Sequence, residues 1–200
     1  MIETQNRELF DFFIFFPKPV VVAVNGPAIG ASVTSATLCD AIVASEKATF
    51  STPFARLGIP PEGCSSVNFA RLMGEGNAER MLGPEGWVPT AQEAAEVGLI
   101  TKVVPHDQLL LEAQALAKEL GEQCSSGKKQ RALQEAGLAE AMADVNARES
   151  YDLAAAFLSR PFLDAQHDFL KSKGKAQPAM VFKVLSLLHP FWSLLLPKKP

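Results

Sequence analysis

The sequence is poor in the residues that build metal sites and disulfide frameworks. Its 200 residues contain three cysteines and three histidines, namely Cys39, Cys64, Cys124, His106, His167 and His189. Neither set has the close spacing of metal ligands, and an odd, sparse set of cysteines is typical of reduced thiols in an intracellular protein. We therefore expect no metal site and interpret the three histidines as structural.

An excess of positive charge is also missing. The chain has 19 Lys and Arg residues against 22 Asp and Glu residues, which gives a net charge of −3. A general nucleic-acid binder needs a basic field, so we expect no nucleic-acid partner, although a local basic patch for phosphates stays open. The first residues carry acids at Glu3 and Glu8 and lack the pattern of a signal peptide.

The sequence has no long uninterrupted apolar run. Its most apolar segment, Ala179 to Leu196, is interrupted by Lys183, His189 and Pro190. A helix that spans a membrane needs about 20 apolar residues, and proline breaks helices. We expect no membrane span here, which leaves a docking tail or a disordered end.

Two common motifs are absent as well. The turn Gly26-Pro-Ala-Ile-Gly30 lacks the Gly-Lys-Ser/Thr ending of a P-loop and the third glycine of a dinucleotide fingerprint. Ser32 does not lie in a Gly-x-Ser-x-Gly elbow. Nucleotide binding and serine hydrolysis are therefore disfavoured.

A strand, a glycine turn and a helix dominate what is present. The apolar run Val20–Val24 is typical of a strand covered on both faces. The turn Asn25–Gly30 follows, and then a helix of small residues from Ala31 and a second strand, Ala41–Ala44. This order predicts a parallel crossover unit.

Capping and periodicity predict the remaining elements. Thr90-Ala-Gln-Glu93 is a capping box that opens a short helix, which Gly98 closes. We predict further helices over 4–16, 64–73, 77–82 and 107–120, strands over 49–51 and 99–104, a polar linker over 125–129, and helices to about 175 divided at Pro161.

The strongest candidate for chemistry is the turn before the helix at Ala31, together with Glu62. A strand that ends in such a turn aims free N–H groups and the positive end of a helix dipole at one point, which can hold a carbonyl oxygen that becomes an anion. Glu62 follows as an acid flanked by Pro61 and Gly63. The pattern alone leaves open a plain strand-to-helix turn and an ordinary surface acid.

At these residues the sequence resembles the crotonase (enoyl-CoA hydratase/isomerase) superfamily. The match covers about residues 7 to 175. Its motifs are Lys18-Pro-Val-Val-Val-Ala-Val-Asn-Gly-Pro-Ala-Ile-Gly30, Cys39-Asp40, Ala48-Thr-Phe50, Thr52-Pro-Phe54, Leu57-Gly58, Thr90-Ala-Gln-Glu-Ala94 and Gly98-Leu-Ile-Thr-Lys-Val-Val-Pro105.

Within that superfamily the sequence is most similar to the peroxisomal-type Δ3,Δ2-enoyl-CoA isomerases. Hydratases carry glutamates at the two places that hold Thr34 and Phe54 in this sequence. The isomerases instead have a single acid in a Pro-Glu-Gly-Cys-Ser-Ser segment, which is found here as Pro61–Ser66. The resemblance therefore favours isomerisation over the addition of water.

The resemblance implies a role for each site residue. Glu62 would be the catalytic base, moving a proton from C2 to C4 of a 3-enoyl-CoA in fatty-acid β-oxidation, and the N–H of Ala31 would be an oxyanion donor. Phe54, Leu57 and Ile59 would supply an apolar setting that raises the pKa of Glu62. Coenzyme A is part of the substrate, so no separate cofactor is implied. The implied substrate-binding residues are Ala28, Ile29, Gly30, Phe54 and Leu57.

The implied fold class is α/β: a crotonase-like ββα spiral core, N-terminally truncated, with a C-terminal helical region. The family's N-terminal strands and their Ala/Ser-Gly-x-Asp motif, which gives the second oxyanion N–H, find no match in this sequence. Loss of one such donor lowers turnover about 10²–10³-fold. We expect a partial core over 1–124, a helical region of the trimerisation type over 125–175, and an apolar tail over 176–200.

Other implications concern assembly, compartment and alternatives. The family implies an acyl-CoA partner, a homotrimer, and a peroxisome or mitochondrion, although the sequence shows no Ser-Lys-Leu ending and no clear transit peptide. One alternative is a non-catalytic acyl-CoA-binding or interaction module, similar to the chromodomain Y-like proteins, which lack the catalytic glutamate. The other is a fragment without a stable fold.

Overall fold

The computed structural model of the protein describes residues 1–128, 130–134 and 137–195. Its strands are β1 (Val21–Val24), β2 (Pro27–Ile29), β3 (Ala41–Ser45), β4 (Thr49–Ser51) and β5 (Lys102–Val104). Its α-helices are α1 (Ile2–Phe15), α2 (Ala31–Thr37), α3 (Phe54–Leu57), α4 (Ser65–Met73), α5 (Glu75–Leu82), α6 (Ala91–Glu96), α7 (Leu109–Ser125), α8 (Leu138–Ala156), α9 (Arg160–Ser172) and α10 (Ala176–Trp192).

Two small parallel sheets form the centre of the fold. In the larger sheet the strand order is β1-β3-β5, and the smaller sheet pairs β2 with β4. Val22 lies opposite Ile42 and Val24 opposite Ala44, so β1, α2 and β3 form a parallel crossover. This confirms the predicted α/β class and the predicted crossover unit.

The main core lies between the sheets and helices α4, α5 and α6. Every residue of β3 is buried, as expected of a central parallel strand. Phe50 and Phe69 are the largest side chains of this core, and the small helix α2 packs against it through Val33 and Ala36. The small side chains of α2 thus bring the helix backbone close to the sheet, which positions the turn at its N-terminus.

One predicted strand is shorter than expected. The sequence predicts a strand over 99–104, but only Lys102–Val104 is strand. Gly98 has φ 86°, and the N–H groups of Leu99 and Ile100 both donate to the carbonyl oxygen of Ala94. The end of α6 therefore takes up the first residues of the apolar run in a helix C-terminal turn.

Two short elements were not predicted. The segment expected as a plain glycine turn contains β2, because Pro27–Ile29 pairs with Thr49–Ser51. Helix α3 comes shortly after β4, and its C-cap is Gly58, which has φ 66°. Each element is three or four residues long, so local sequence carries no periodic signal for it.

The C-terminal residues form a helical hairpin. Pro161 lies in the first turn of α9, where its missing N–H is tolerated. Helix α10 packs against α9, and Ser186 donates a hydrogen bond of 2.6 Å to Asp164. The sequence left open a disordered C-terminal end, and for 176–192 this alternative is wrong. Residues 196–200 of the predicted tail and Lys129 of the predicted linker lie outside the described residues. None of the helices described is long and apolar enough to cross a membrane.

A buried arginine joins the C-terminal region to the core. Arg131 forms an ion pair of 3.1 Å with Asp40, and both side chains are almost fully buried. Its guanidinium group also donates to the carbonyl oxygens of Ile14 and Phe16, at the end of helix α1. Asp40 in turn accepts hydrogen bonds from the N–H groups of Val20 and Ala132. This network ties α1, the start of β1 and the segment before α8 together.

Candidate active site

One cavity of about 270 Å³ contains the predicted catalytic glutamate. Its wall is mainly apolar, and Glu62 is the one ionisable side chain among the described residues that line it. The lining residues are Asn6, Ile29, Gly30, Ala31, Pro53, Phe54, Leu57, Ile59, Glu62, Leu153 and Phe157. The cavity therefore combines an apolar wall with one carboxyl group, next to the N-terminus of α2.

The carboxyl group of Glu62 is buried, with 5% of the residue exposed. Burial raises its pKa from the usual value of 4.5 to about 7, because the charged form loses water. A hydrogen bond of 2.8 Å from the hydroxyl of Thr34 acts in the opposite direction, and the negative charge of Glu149 adds to the increase. A carboxyl group with a pKa near neutral is suited to act as a general base.

A tight turn after Glu62 determines where this carboxyl group lies. Gly63 has φ 63°, and a Cβ atom at this position would lie 2.6 Å from Cε1 of Phe10 and 2.8 Å from Oγ1 of Thr34. Only glycine fits, for both conformational and steric reasons. The hydroxyl of Ser65 donates a hydrogen bond of 2.7 Å to the carbonyl oxygen of Glu62, which fixes the backbone on the other side of the turn.

The opposite wall of the cavity comes from the glycine turn. Gly30 has φ 58°, and its N–H donates to the carbonyl oxygen of Ser51 at 2.8 Å. Ala31 begins α2, so its N–H has no acceptor within the helix. The carbonyl of Gly30 accepts hydrogen bonds from the N–H groups of Val33 and Thr34. Ala31 thus lies both at the N-terminus of α2 and at the cavity wall.

The structure brings together six of the seven predicted site residues. Ile29, Gly30, Ala31, Phe54, Leu57 and Glu62 all line the cavity. The exception is Ala28, whose side chain is buried in the main core, so it does not line this cavity. The roles of all seven residues in binding or catalysis stay predictions.

Several residues at the site were missed by the sequence analysis. Thr34 was noted only because it is not an acid, yet it bonds directly to Glu62. Leu153 reaches the cavity from α8, Phe157 from the residue that follows this helix, and Asn6 from α1. The spacing of Leu153 and Phe157 indicates one face of a helix, but nothing local says that this face meets Glu62.

The cysteines and the possible metal ligands of the chain are the other groups to compare with this cavity. Burial raises the pKa of Cys64 to about 12 and that of Cys39 to about 11, so both thiols stay protonated. Across 1–128, 130–134 and 137–195 no group of three or more His, Cys, Asp or Glu side chains is arranged to hold a metal ion. Glu62 is the one ionisable side chain in the described lining of this cavity.

Comparison with known proteins shows which family the chain resembles. A family model described as enoyl-CoA hydratase/isomerase matches residues 2–162. Enoyl-CoA delta isomerase 2 of Rattus norvegicus is 40% identical over 170 residues, which are 84% of this chain and 43% of that protein. Chromodomain Y-like protein 2 of Homo sapiens is 37% identical over 169 residues, which are 84% of this chain and 33% of that protein.

A solved structure shows the same fold. The crystal structure of an enoyl-CoA hydratase/isomerase from Pseudoalteromonas atlantica T6c matches with a TM-score of 0.74 and 29% identity, over 82% of this chain and 66% of that chain. The chain spans less than half the length of enoyl-CoA delta isomerase 2 and of chromodomain Y-like protein 2. The family match covers most of its residues, and the site lies within the matched range. The chain belongs to the enoyl-CoA hydratase/isomerase family of the crotonase superfamily.

Proposed function

We propose that this chain carries the site of an enoyl-CoA isomerase, which moves the double bond of a 3-enoyl-CoA to the 2-position. The observation that supports this most is the single carboxyl group of Glu62, buried against an apolar cavity with a pKa of about 7. The relatives include enoyl-CoA delta isomerase 2, at 40% identity. In β-oxidation the product would be the conjugated 2-enoyl-CoA.

Glu62 would act as the only base of the reaction. As a carboxylate it would take a proton from C2 of the thioester, which leaves a dienolate, and it would return that proton to C4. One carboxyl group suffices when the proton leaves and returns on the same face. The hydroxyl of Thr34 would stabilise the carboxylate by its hydrogen bond of 2.8 Å, and the apolar wall would keep the group from becoming fully ionised.

The N–H of Ala31 would bind the thioester oxygen as it becomes negative. Its position at the start of α2 gives a donor that is already oriented before the substrate arrives. The positive end of the short helix dipole adds to this stabilisation. Ile29, Phe54 and Leu57 would contact the apolar part of the acyl group.

Hydration is disfavoured by the chemistry of the same cavity. Addition of water needs an acid and a base placed around the double bond, and hydratases hold glutamates at the positions of Thr34 and Phe54. Among the described lining residues Glu62 is the only acid. Isomerisation needs one such group, so the site is better matched to it.

The experiment is conversion of a 3-enoyl-CoA to 2-enoyl-CoA by the purified chain, followed by the absorbance of the conjugated thioester. We expect the chain to turn over this substrate. Glu62→Gln should lower the turnover about 10²–10⁴-fold, and the exposed control variant Glu46→Gln should keep the wild-type rate. The assay needs a dynamic range of at least about 10⁴-fold to follow a loss of that size. Absence of turnover, or full turnover by Glu62→Gln, would contradict the proposal.

A second candidate function is binding of acyl-CoA without turnover. The similarity to chromodomain Y-like protein 2 supports it. Calorimetric titration with a non-isomerisable acyl-CoA, combined with the turnover assay, separates the two functions. A pure binding module binds the ligand equally well before and after Glu62→Gln and forms no product in either case. Glu62 favours the enzyme, since a binding module has no need of a buried carboxyl group.

Assembly and compartment belong to the same proposal. We propose an acyl-CoA ligand, a homotrimer built through the C-terminal helices over 125–175, and a peroxisomal or mitochondrial location. Sedimentation velocity of the purified chain tests the trimer, and microscopy of a tagged chain tests the compartment.

A further inference from the structure

A second buried carboxyl group lies beside the candidate base. Glu149 of α8 has 7% of its surface exposed and points at the turn that follows Glu62. Its Oε2 atom accepts a hydrogen bond of 2.6 Å from the N–H of Cys64, and its Oε1 atom accepts one of 3.0 Å from the N–H of Ser66. A carboxylate from another element thus caps the N-terminus of α4.

The turn that Glu149 binds is conformationally strained. Gly63 and Cys64 both have positive φ angles, 63° and 64°. Cys64 is the only residue other than glycine with a positive φ in the part of the chain that the structure describes. Such a backbone persists only where its surroundings hold it in place. The two hydrogen bonds to Glu149 hold the backbone at Cys64, within this turn, and at Ser66, just after it, and provide that constraint.

The same turn carries the candidate base. Glu62 lies two residues before Cys64, and Ser65 of the capped helix end donates hydrogen bonds to its carbonyl oxygen from both N–H and hydroxyl. A shift of the turn would therefore move the Glu62 carboxyl group relative to Thr34 and Ala31.

We propose that Glu149 is a positioning residue for Glu62, holding the left-handed Gly63–Cys64 turn so that the base meets Thr34 and the cavity. This inference rests on the proposed isomerase function for its catalytic meaning. Its structural content, that a carboxyl group of α8 holds the turn that places Glu62, stands on the contacts alone. Through Glu149, helix α8 of the C-terminal region would then help to position the candidate base.

Electrostatics couple the two carboxyl groups. The negative charge of Glu149 raises the pKa of Glu62, so removing that charge lowers it. Burial raises the pKa of Glu149 itself, while its hydrogen bonds from Ser66 and Cys64 act in the opposite direction. The other charged or titratable groups around this pair are Cys64, Asp11, Arg148 and Asp152.

The test compares Glu149→Gln with Asp144→Asn, an exposed acid on the same helix. The amide introduced by Glu149→Gln has one acceptor oxygen, and its amino group opposes the second backbone N–H. In this variant we expect faster hydrogen exchange of the Cys64 and Ser66 amides, a lower pKa of Glu62 in a carboxyl ¹³C titration, and a kcat that falls about tenfold or more with little change in KM. Asp144→Asn should match the wild-type chain in all three measurements.

The outcomes separate this inference from the proposed function. If the wild-type chain does not isomerise 3-enoyl-CoA, the proposed function fails, and the exchange and titration measurements still decide the role of Glu149. Unchanged exchange and an unchanged Glu62 pKa in folded Glu149→Gln would overturn the inference. A merely structural residue would lower the amount of folded protein but leave the pKa of Glu62 and the kcat of the folded fraction as they are.

A second measurement covers the case in which Glu149→Gln does not fold. In the wild-type chain the amide ¹⁵N shifts of Cys64 and Ser66 should follow the titration of the Glu149 carboxyl group, and the Glu62 carboxyl signal should respond in the same pH range. Cys64 and Ser66 amide ¹⁵N shifts that do not change as the Glu149 carboxyl group titrates would overturn the inference.

Discussion

The hydroxyl of Thr34 lies 2.8 Å from Oε1 of Glu62 and donates a hydrogen bond to it. Thr34 is fully buried, on the first turns of α2, and Glu62 comes from the turn before α4. Burial alone would raise the pKa of Glu62 further, and this hydrogen bond limits the increase. The contact therefore joins the helix that carries the proposed oxyanion donor to the residue proposed as the base.

Removal of this hydroxyl should change the pH dependence of the base. In Thr34→Val the carboxylate of Glu62 loses a donor, so its pKa should rise above about 7 and the acidic limb of kcat/KM should move to higher pH. The measurement is a pH–rate profile with 3-enoyl-CoA. Ser35→Ala, which removes a hydroxyl bonded to Ala31 on the same helix, is the control and should leave the limb in place. A limb that moves to lower pH would contradict the assignment.

The buried carboxyl group should also make stability depend on pH. The pKa of Glu62 is about 7 in the folded chain and near 4.5 when unfolded, so the folded state binds more protons between these values. Its contribution to the free energy of unfolding therefore falls as pH rises from about 4.5 to 7, by about 3 kcal/mol. Glu62→Gln should be more stable than the wild-type chain at pH 8 and similar at pH 4.5. Denaturant titrations at both values, followed by tryptophan fluorescence, test this, and an equal difference at both pH values would contradict it.

The glycine after the base should not accept a side chain. In Gly63→Ala the new methyl group would meet Phe10 and Thr34, and the φ of 63° would be strained. We expect a loss of stability of about 1–3 kcal/mol and reduced turnover. Gly121→Ala is the control, because that position in α7 is open and helical, and it should gain up to about 1 kcal/mol. Thermal unfolding of both variants gives the comparison, and a Gly63→Ala variant as stable as wild type would show that the turn is not constrained.

The buried arginine should be important for stability. Arg131→Met leaves Asp40 charged and unpaired in the interior, and it removes the donors for the end of α1. Breaking a buried pair in this way costs about 3–5 kcal/mol. The exposed pair of Arg160 and Asp164, 3.7 Å apart, is the control, and Arg160→Met should cost less than about 1 kcal/mol. Urea unfolding measures both, and similar losses for the two variants would contradict the expected difference.

Much of the core could be predicted because its signals are local. The apolar run before Asn25, the small residues after Gly30 and the capping box at Thr90 each specify an element through its own residues. The capping box is present, with the hydroxyl of Thr90 accepting from the N–H of Glu93. Short elements such as β2 and α3 could not be predicted, because β2 depends on pairing with a distant strand and α3 is a single turn without a periodic signal.

The sequence by itself determined the family, the parallel crossover and the segment that holds Glu62, because these depend on residue types at fixed spacing along the chain. Only the tertiary structure decided what surrounds Glu62. Thr34 lies 28 positions away and Glu149 lies 87 positions away from it along the sequence, and both reach it only after the chain folds. A carboxyl group takes its pKa from the water it loses and the charges it meets, and neither is defined until distant helices pack around it.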